Sequence, residues 1–299
     1  MHGWQAGGSA PASFALHPGS ISPAPFAVMS GKHITRVFCS QKNNKKFSKV
    51  AIVATFCACA PSIIGLSDED KTNAFSPSGV QGGTTMKKEL TELVFIIDRS
   101  GSMYGLTKDT IGGFNSMLDK QRSEEGSAFV STVLFNNVSK VVHDREDIKS
   151  VAHMTDSDYE PYGSTALLDA VGGAVRHISN IHKYARKEDV PEKTLFVIIT
   201  DGMENSSHTF SGAHVKSMIK ERQEKYGWEF LFLGANMDAA TAAEEIGIGS
   251  DRAVKYCCDD VGTELSYDEI NKTVSSFRIS GKISDTWKDA IEEDEKCRG

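Results

Sequence analysis

The two most apolar runs in the chain each end close to an aspartate. Leu93-Val94-Phe95-Ile96-Ile97 leads into Asp98-Arg99-Ser100-Gly101-Ser102, and Leu195-Phe196-Val197-Ile198-Ile199 leads into Thr200-Asp201-Gly202. Carboxylates and hydroxyls are hard oxygen donors, suited to Mg2+ or Mn2+ rather than to thiolate-seeking metals. Magnesium asks for six oxygens at ~2.0–2.1 Å and keeps several waters, so a few side chains suffice. Gly101 and Gly202 allow backbone to turn tightly beside an ion. Each piece also has a plainer use, since Asp98 and Ser100 can simply cap the turn that follows them. Other chemistries are poorly provided for. The chain has no Walker-type Gly-x-x-x-x-Gly-Lys-Ser/Thr loop and no Gly-x-Ser-x-Gly elbow. No His or Lys stands close to Asp98 in sequence to act as a base, and His143, His153, His177, His182, His208 and His214 show no paired metal spacing. The expectation is a protein without catalytic residues. A metal-dependent hydrolase or phosphotransferase, with Asp98 as a phosphate acceptor, is the alternative.

The elements that must position these residues are legible around them. A continuous apolar run suits a strand covered on both faces, as in a parallel sheet. After the first strand, residues 107–123 carry Ile111, Phe114, Met117 and Leu118 at helical spacing. Ala128 to Phe135 reads as a strand, Asn136-Asn137 as a turn, and Val138 to His143 as a returning hairpin partner at the sheet edge. A polar loop from Met154 to Ser164 precedes a helix over 165–183. Beyond the 195–199 strand come a helix over 211–225, a strand from Trp228 to Leu233, a helix from Asp238 to Glu245, a weak strand from Ala253 to Tyr256 and a helix over 263–278. This alternation predicts a Rossmann-like, three-layer α/β domain. Its central sheet is mostly parallel with one antiparallel edge strand, and helices cover both faces. In such sheets ligands bind beyond the carboxyl ends of the strands, near the switch in strand order, so Asp98 and Asp201 should meet at one edge.

Here the sequence resembles the von Willebrand factor A family. Asp98-Arg99-Ser100-Gly101-Ser102 matches the Asp-x-Ser-x-Ser opening of that family's metal-ion-dependent adhesion site. Gly163-Ser164-Thr165 resembles the family's loop threonine ahead of a helix, and Thr200-Asp201-Gly202 its second acidic position. The resemblance covers roughly residues 90–280. It implies that Ser100, Ser102 and Thr165 ligate a divalent cation directly, Mg2+ or Mn2+, while Asp98 and Asp201 supply negative charge and orient waters. Ser164 or Thr165 could instead serve as a helix N-cap. The resemblance further implies that the ion accepts a carboxylate from an Asp or Glu of a partner protein, as an accessory or assembly subunit would. Arg99, Met103, Tyr104, Glu204 and Asn205 flank the site and stand where they would shape partner choice or remain exposed loop residues. Phe232-Leu233-Gly234-Ala235-Asn236, Ile246-Gly247-Ile248-Gly249 and Ser275-Ser276-Phe277-Arg278 look like compact intracellular bacterial members of the family.

Charge is unevenly spread. Residues 1–85 hold seven basic and three acidic residues, leaving 26 basic against 37 acidic from Met86 onward, a net of −11. An acidic domain repels phosphate backbones, so nucleic acid is not an expected partner. Cys39, Cys57, Cys59, Cys257, Cys258 and Cys297 form neither a disulfide framework nor a zinc pattern, which suits a reducing compartment and a cytoplasmic location. Residues 1–85 are expected to be a disordered leader or a misassigned start. Their basic stretch Lys42 to Lys49, uncharged run Val50 to Ser67 and small residues Ala58 and Ala60 also resemble a signal or anchor. Were that leader real, the protein would be exported, held at a membrane through residues 42–67, or act as a surface adhesin. Residues 86–280 make the domain, and 281–299 a charged tail that is either a short helix or disorder.

Overall fold

A computed structural model describes residues 89–298 of the chain. The expectations for residues 1–85 lie outside the described residues. Six strands form one sheet in the order β3-β2-β1-β4-β5-β6. They are β1 (Leu90–Asp98), β2 (Ser127–Phe135), β3 (Ser139–Asp147), β4 (Lys193–Thr200), β5 (Glu229–Gly234) and β6 (Ala253–Lys255). All neighbours are parallel except β3, which runs antiparallel to β2 at the edge. The expected hairpin is present, and β3 runs on past His143. Despite register shifts around Thr132, Phe129 and Val130 still pair with Asp147 and Glu146.

Successive side chains of a strand point to opposite faces, so a run buried on both sides must be apolar at every position. In β1, Leu93, Phe95 and Ile97 belong to one core, while Val94 and Ile96 belong to the other. β4 and β5 repeat the division, with Leu195, Val197, Ile199, Leu231 and Leu233 on the first side and Phe196, Ile198, Phe230 and Phe232 on the second. The first core is closed by α1 (Thr107–Arg122) and α5 (Asp260–Ser280), the second by α2 (Leu167–Tyr184), α3 (Gly212–Tyr226) and the short α4 (Ala239–Glu245). The domain is thus a three-layer α/β structure of the predicted class. α1 and α5 lie close enough that a Cβ added at Gly113 would fall 2.4 Å from the Tyr267 ring.

The segment after Gly281 is helical over α6 (Asp289–Arg298). Ile283, Trp287 and Ile291, spaced by four, join the α1/α5 core, and the Trp287 indole N–H donates to the Asp251 carbonyl at 2.9 Å. Among the described residues no helix is long and apolar enough to cross a membrane.

Near the start of β1, Glu92 is fully buried inside the sheet. Arg145 Nε donates to both its oxygens at 3.0 and 2.8 Å, and His182 Nε2 lies 3.2 Å from one of them. At the end of β1, the chain steps outward to β2 and β3, then crosses back to β4 on the other side of β1. The loops leaving β1 and β4 therefore diverge and open a crevice at the carboxyl edge of the sheet. Asp98 and Asp201 stand at its lip.

Candidate metal centre

Asp98 closes β1 with a fully buried side chain. One carboxylate oxygen accepts the Ser100 backbone N–H at 2.7 Å, and the other accepts the Thr200 hydroxyl at 2.6 Å. This ties the end of β1 to the end of its neighbour β4. Burial pushes the Asp98 carboxyl up to about 6, against the pull of the Thr200 and Ser100 hydrogen bonds. The turn that follows brings the two serines together, with Ser100 Oγ 3.1 Å from Ser102 Oγ. Ser102 Oγ in turn donates to Asp201 Oδ1 at 2.6 Å. Burial raises the Asp201 carboxyl as well, with the Ser102 hydrogen bond opposing it. The second Asp201 oxygen is buried and has no hydrogen-bond partner.

Thr165 arrives from a third loop. A Cβ added at Gly202 would lie 3.1 Å from Thr165 Oγ1 and 4.0 Å from Ser102 Oγ, so Gly202 leaves room for the hydroxyls to converge. Gly101 N–H donates to the Gly163 carbonyl at 3.1 Å, which joins the Thr165 loop to the serine turn. Gly163 has φ +76°, and a Cβ there would sit 2.5 Å from Asn137 Oδ1. A side chain here would be strained by the backbone and would have to push the Asn137 amide aside. All five predicted residues, Asp98, Ser100, Ser102, Thr165 and Asp201, are thereby gathered at the β1/β4 crevice. Among the described residues no three His, Cys, Asp or Glu side chains form a metal cage. The oxygens gathered here are two carboxylates and three hydroxyls.

Four of the five flanking residues are engaged by the protein itself. Met103 and Arg99 are buried. Asn205 Oδ1 accepts the Thr165 N–H at 2.9 Å while its own N–H donates to the Thr165 carbonyl at 3.0 Å, a two-way clamp on that residue. Glu204 faces inward, accepting from the Ser206 and Ser207 amides, the Ser207 hydroxyl and the Leu168 N–H at the start of α2. Only Tyr104 of the five is prominently exposed as a large apolar side chain. Sequence reasoning had no hold on three further supports. Tyr159 OH donates to the Asp98 carbonyl at 2.6 Å. Asn136 holds the Tyr162 carbonyl through Nδ2 at 2.9 Å. Asp169, in the first turn of α2, accepts the amides of His208, Thr209 and Phe210. Burial opposes ionisation of Asp169, but the three amides outweigh it and hold the carboxyl below its ordinary range.

The strand order with its antiparallel β3 edge and the meeting of the three motif loops at the β1/β4 switch are the architecture that the motifs implied. Several solved von Willebrand factor A domains have a similar fold. A von Willebrand factor type A protein from Catenulispora acidiphila is similar at 16% identity and a TM-score of 0.42, over 62% of this chain and 42% of its own. The vWF domain of the type V pili tip protein Mfa5 from Porphyromonas gingivalis is similar at 12% identity and a TM-score of 0.46, over 65% of this chain and 98% of its own. Proximal thread matrix protein 1 of the mussel byssus, with a zinc-occupied MIDAS motif, is similar at 15% identity and a TM-score of 0.44, over 62% of this chain and 46% of its own. The chain thus spans less than half the length of the first and third of these. At such identities the likeness concerns fold alone. No protein-family profile matches the chain, and no curated protein matches it in sequence.

Proposed function

We propose that this von Willebrand factor A-like domain is a non-enzymatic, metal-dependent protein-binding module. In this reading Ser100, Ser102 and Thr165 ligate a hard divalent cation, Mg2+ or Mn2+, while Asp98 and Asp201 hold the hydroxyls and waters around it. The observation that carries the reading is the orphaned Asp201 oxygen, buried beside three converging hydroxyls. A buried carboxylate oxygen without a donor is costly, and a bound cation with its waters would offset that cost. The donor set is all oxygen, which fits a hard ion.

Charge favours an anionic partner. Arg99, almost fully buried between Asp98 and Ser100, has no carboxylate within 4.0 Å among the described residues. Two carboxylates balance a divalent ion without over-neutralising it, so the loaded ion stays electrophilic. Such a site attracts an Asp or Glu side chain of a partner. A cytoplasmic location belongs to the same proposal, supported by the free thiols of Cys257, Cys258 and Cys297.

Affinity capture with the full chain from native extract tests the function. A partner should be retained in millimolar Mg2+, released by EDTA, and absent with the Asp98→Ala variant. Capture that ignores chelator and Thr165→Ala alike would reject metal-dependent binding. Turnover of a phosphoester or nucleotide that is lost in Asp201→Ala would favour the enzymatic alternative.

A second expectation concerns Asn205. Its clamp fixes Thr165 without supplying an oxygen to the ion in this reading, and groups that orient ligands are worth ~10–100-fold in metal affinity. Asn205→Ala should weaken Mn2+ binding by about that factor in calorimetric titration while leaving the number of bound ions unchanged. An affinity equal to wild type would show that the Thr165 loop holds its place without the clamp.

A further inference from the structure

Nine large apolar side chains are prominently exposed among the described residues, and four of them lie on the loops around the candidate metal centre. Tyr104 is 78% exposed in the turn after Ser102, Tyr162 is 50% exposed just ahead of Gly163, Met203 is 71% exposed just after Gly202, and Val138 is 54% exposed in the β2–β3 hairpin. Tyr162 and Val138 are tied to the site's loops and to each other by direct contacts, while Tyr104 and Met203 follow the site's own turns in sequence. The Tyr162 N–H donates to the Arg99 carbonyl at 3.0 Å, and its ring lies over the Arg99 guanidinium, 5.1 Å from the centroid. Asn136 joins Tyr162 to Val138, donating to the Tyr162 carbonyl through Nδ2 and accepting the Val138 N–H at Oδ1 at 3.0 Å. Met203 follows the glycine packed against Thr165 and Ser102. Apolar side chains grouped in this way around a polar centre mark an interaction surface.

The charges of these loops narrow what can sit there. Across 99–106, 136–139, 155–166 and 201–210 the only Lys or Arg is Arg99, which is buried under Tyr162. Asp156 and Glu160 are exposed carboxylates of the same loops. Within these loops a second acidic group on a ligand would meet Asp156 and Glu160 and no exposed Lys or Arg.

We propose that Tyr104, Val138, Tyr162 and Met203 form an apolar collar that selects a partner loop whose metal-binding Asp or Glu is its lone acidic residue and is flanked by aromatic or aliphatic side chains. The collar excludes water around the carboxylate–metal contact, where lower polarity strengthens the attraction, and supplies the aromatic anchors typical of interface centres. This inference rests on the metal-dependent binding reading above.

The test uses the full chain and a displayed library of ten-residue peptides randomised around a fixed Asp, selected in Mn2+ and eluted with EDTA. Mn2+ binding itself is measured separately by calorimetry with the metal alone. The expected selection is enriched in Phe, Tyr, Trp, Leu, Ile and Met beside the Asp and depleted in further Asp and Glu. A selected peptide should lose at least tenfold in affinity for a Tyr104→Ser/Tyr162→Ser/Met203→Ser variant that still binds Mn2+ as wild type does. A Tyr104→Ser/Met203→Ser variant, which leaves the Tyr162–Arg99 stack intact, should show part of that loss and guards against misfolding of the triple variant. Polyacidic or unflanked selections, no EDTA-eluted peptides, or undiminished affinity for both variants, with Mn2+ bound throughout, would overturn the collar alone. Absence of Mn2+ binding by wild type would overturn the metal reading and the collar with it.

Discussion

Asp98→Asn is expected to stabilise the metal-free protein at neutral pH and, under the proposed metal binding, to abolish its response to Mn2+. The Asp98 carboxyl is pushed up to about 6 by burial, against 3.8 for the free group. That displacement corresponds to about 3 kcal/mol of preference for the protonated form in the folded state. For a group raised on folding, the favourable contribution is full below about pH 3.8 and is lost as pH rises through about 6. Above that range metal-free wild type holds a buried carboxylate at this cost. Asparagine keeps the shape and the acceptor for Ser100 N–H. Its new N–H2 meets Thr200 Oγ1, which can turn its own proton to the Gly202 carbonyl already 3.1 Å away. The Tm advantage of the variant in EDTA should therefore be small near pH 4, grow through pH 6 and level off above pH 7. Mn2+ in large excess should reverse the order, because ligand at about a thousand times its Kd adds about 4.1 kcal/mol to wild type and should add nothing to the variant. A variant that is less stable than wild type in EDTA at pH 7.5, or that gains stability from Mn2+, contradicts the account.

The second large effect is at Arg278. Its guanidinium is buried and donates to four acceptors: the Gln121 carbonyl at 2.7 Å, Gln121 Oε1 at 2.8 Å, and the carbonyls of Glu125 and Gly126 at 3.0 and 3.2 Å. These acceptors close the last turn of α1 and the chain leading into β2. Burial disfavours the charge and lowers the Arg278 pKa, with Glu124 opposing that shift. Arg278→Met fills much of the volume but leaves a cluster of acceptors without donors, each worth ~1–3 kcal/mol when buried and unsatisfied. A loss of about 3–5 kcal/mol is expected, a fall in Tm on the order of 10 °C for a domain of this size. Arg278→Lys should recover little, since one ammonium cannot span acceptors on both sides of the fork. Mn2+ affinity of the folded fraction should be unchanged, because the contact lies at the end of α1 remote from the serine turn. A chemical denaturation curve within about 1 kcal/mol of wild type would show that water replaces the guanidinium without penalty.

The contrast between these two residues shows what a sequence displays and what it conceals. β1 and β4 were legible because burial on both faces demands unbroken apolar runs, and the aspartates after them inherit their position from the strand ends. The hydroxyls were legible as a spaced pattern. Glu204 and Asn205 were not. Polar loop residues look the same whether they face a partner or their own backbone, and only the fold brings Asn205 to Thr165 and Glu204 to Leu168. Glu92 is the sharper case. A charge inside a central strand is tolerated because Arg145 and His182, 53 and 90 residues away, arrive to meet it. Along the tail, Ile283, Trp287 and Ile291 are three apolar residues among many charges, and their spacing by four acquires meaning only when the α1/α5 face is there to receive them.

The direction of β1 has a practical consequence for how the domain is displayed. Eight steps at ~3.3 Å place Leu90 about 26 Å from Asp98, so a linker joined at Leu90 enters at the end of the sheet remote from the crevice. The other end of the domain is arranged differently. Arg298 at the end of α6 reaches Asp259, just beyond β6 and on the same carboxyl edge as the metal loops. Immobilised from the amino side of Leu90, the domain presents its crevice outward. A tag or bead at the carboxyl end is attached on that same edge.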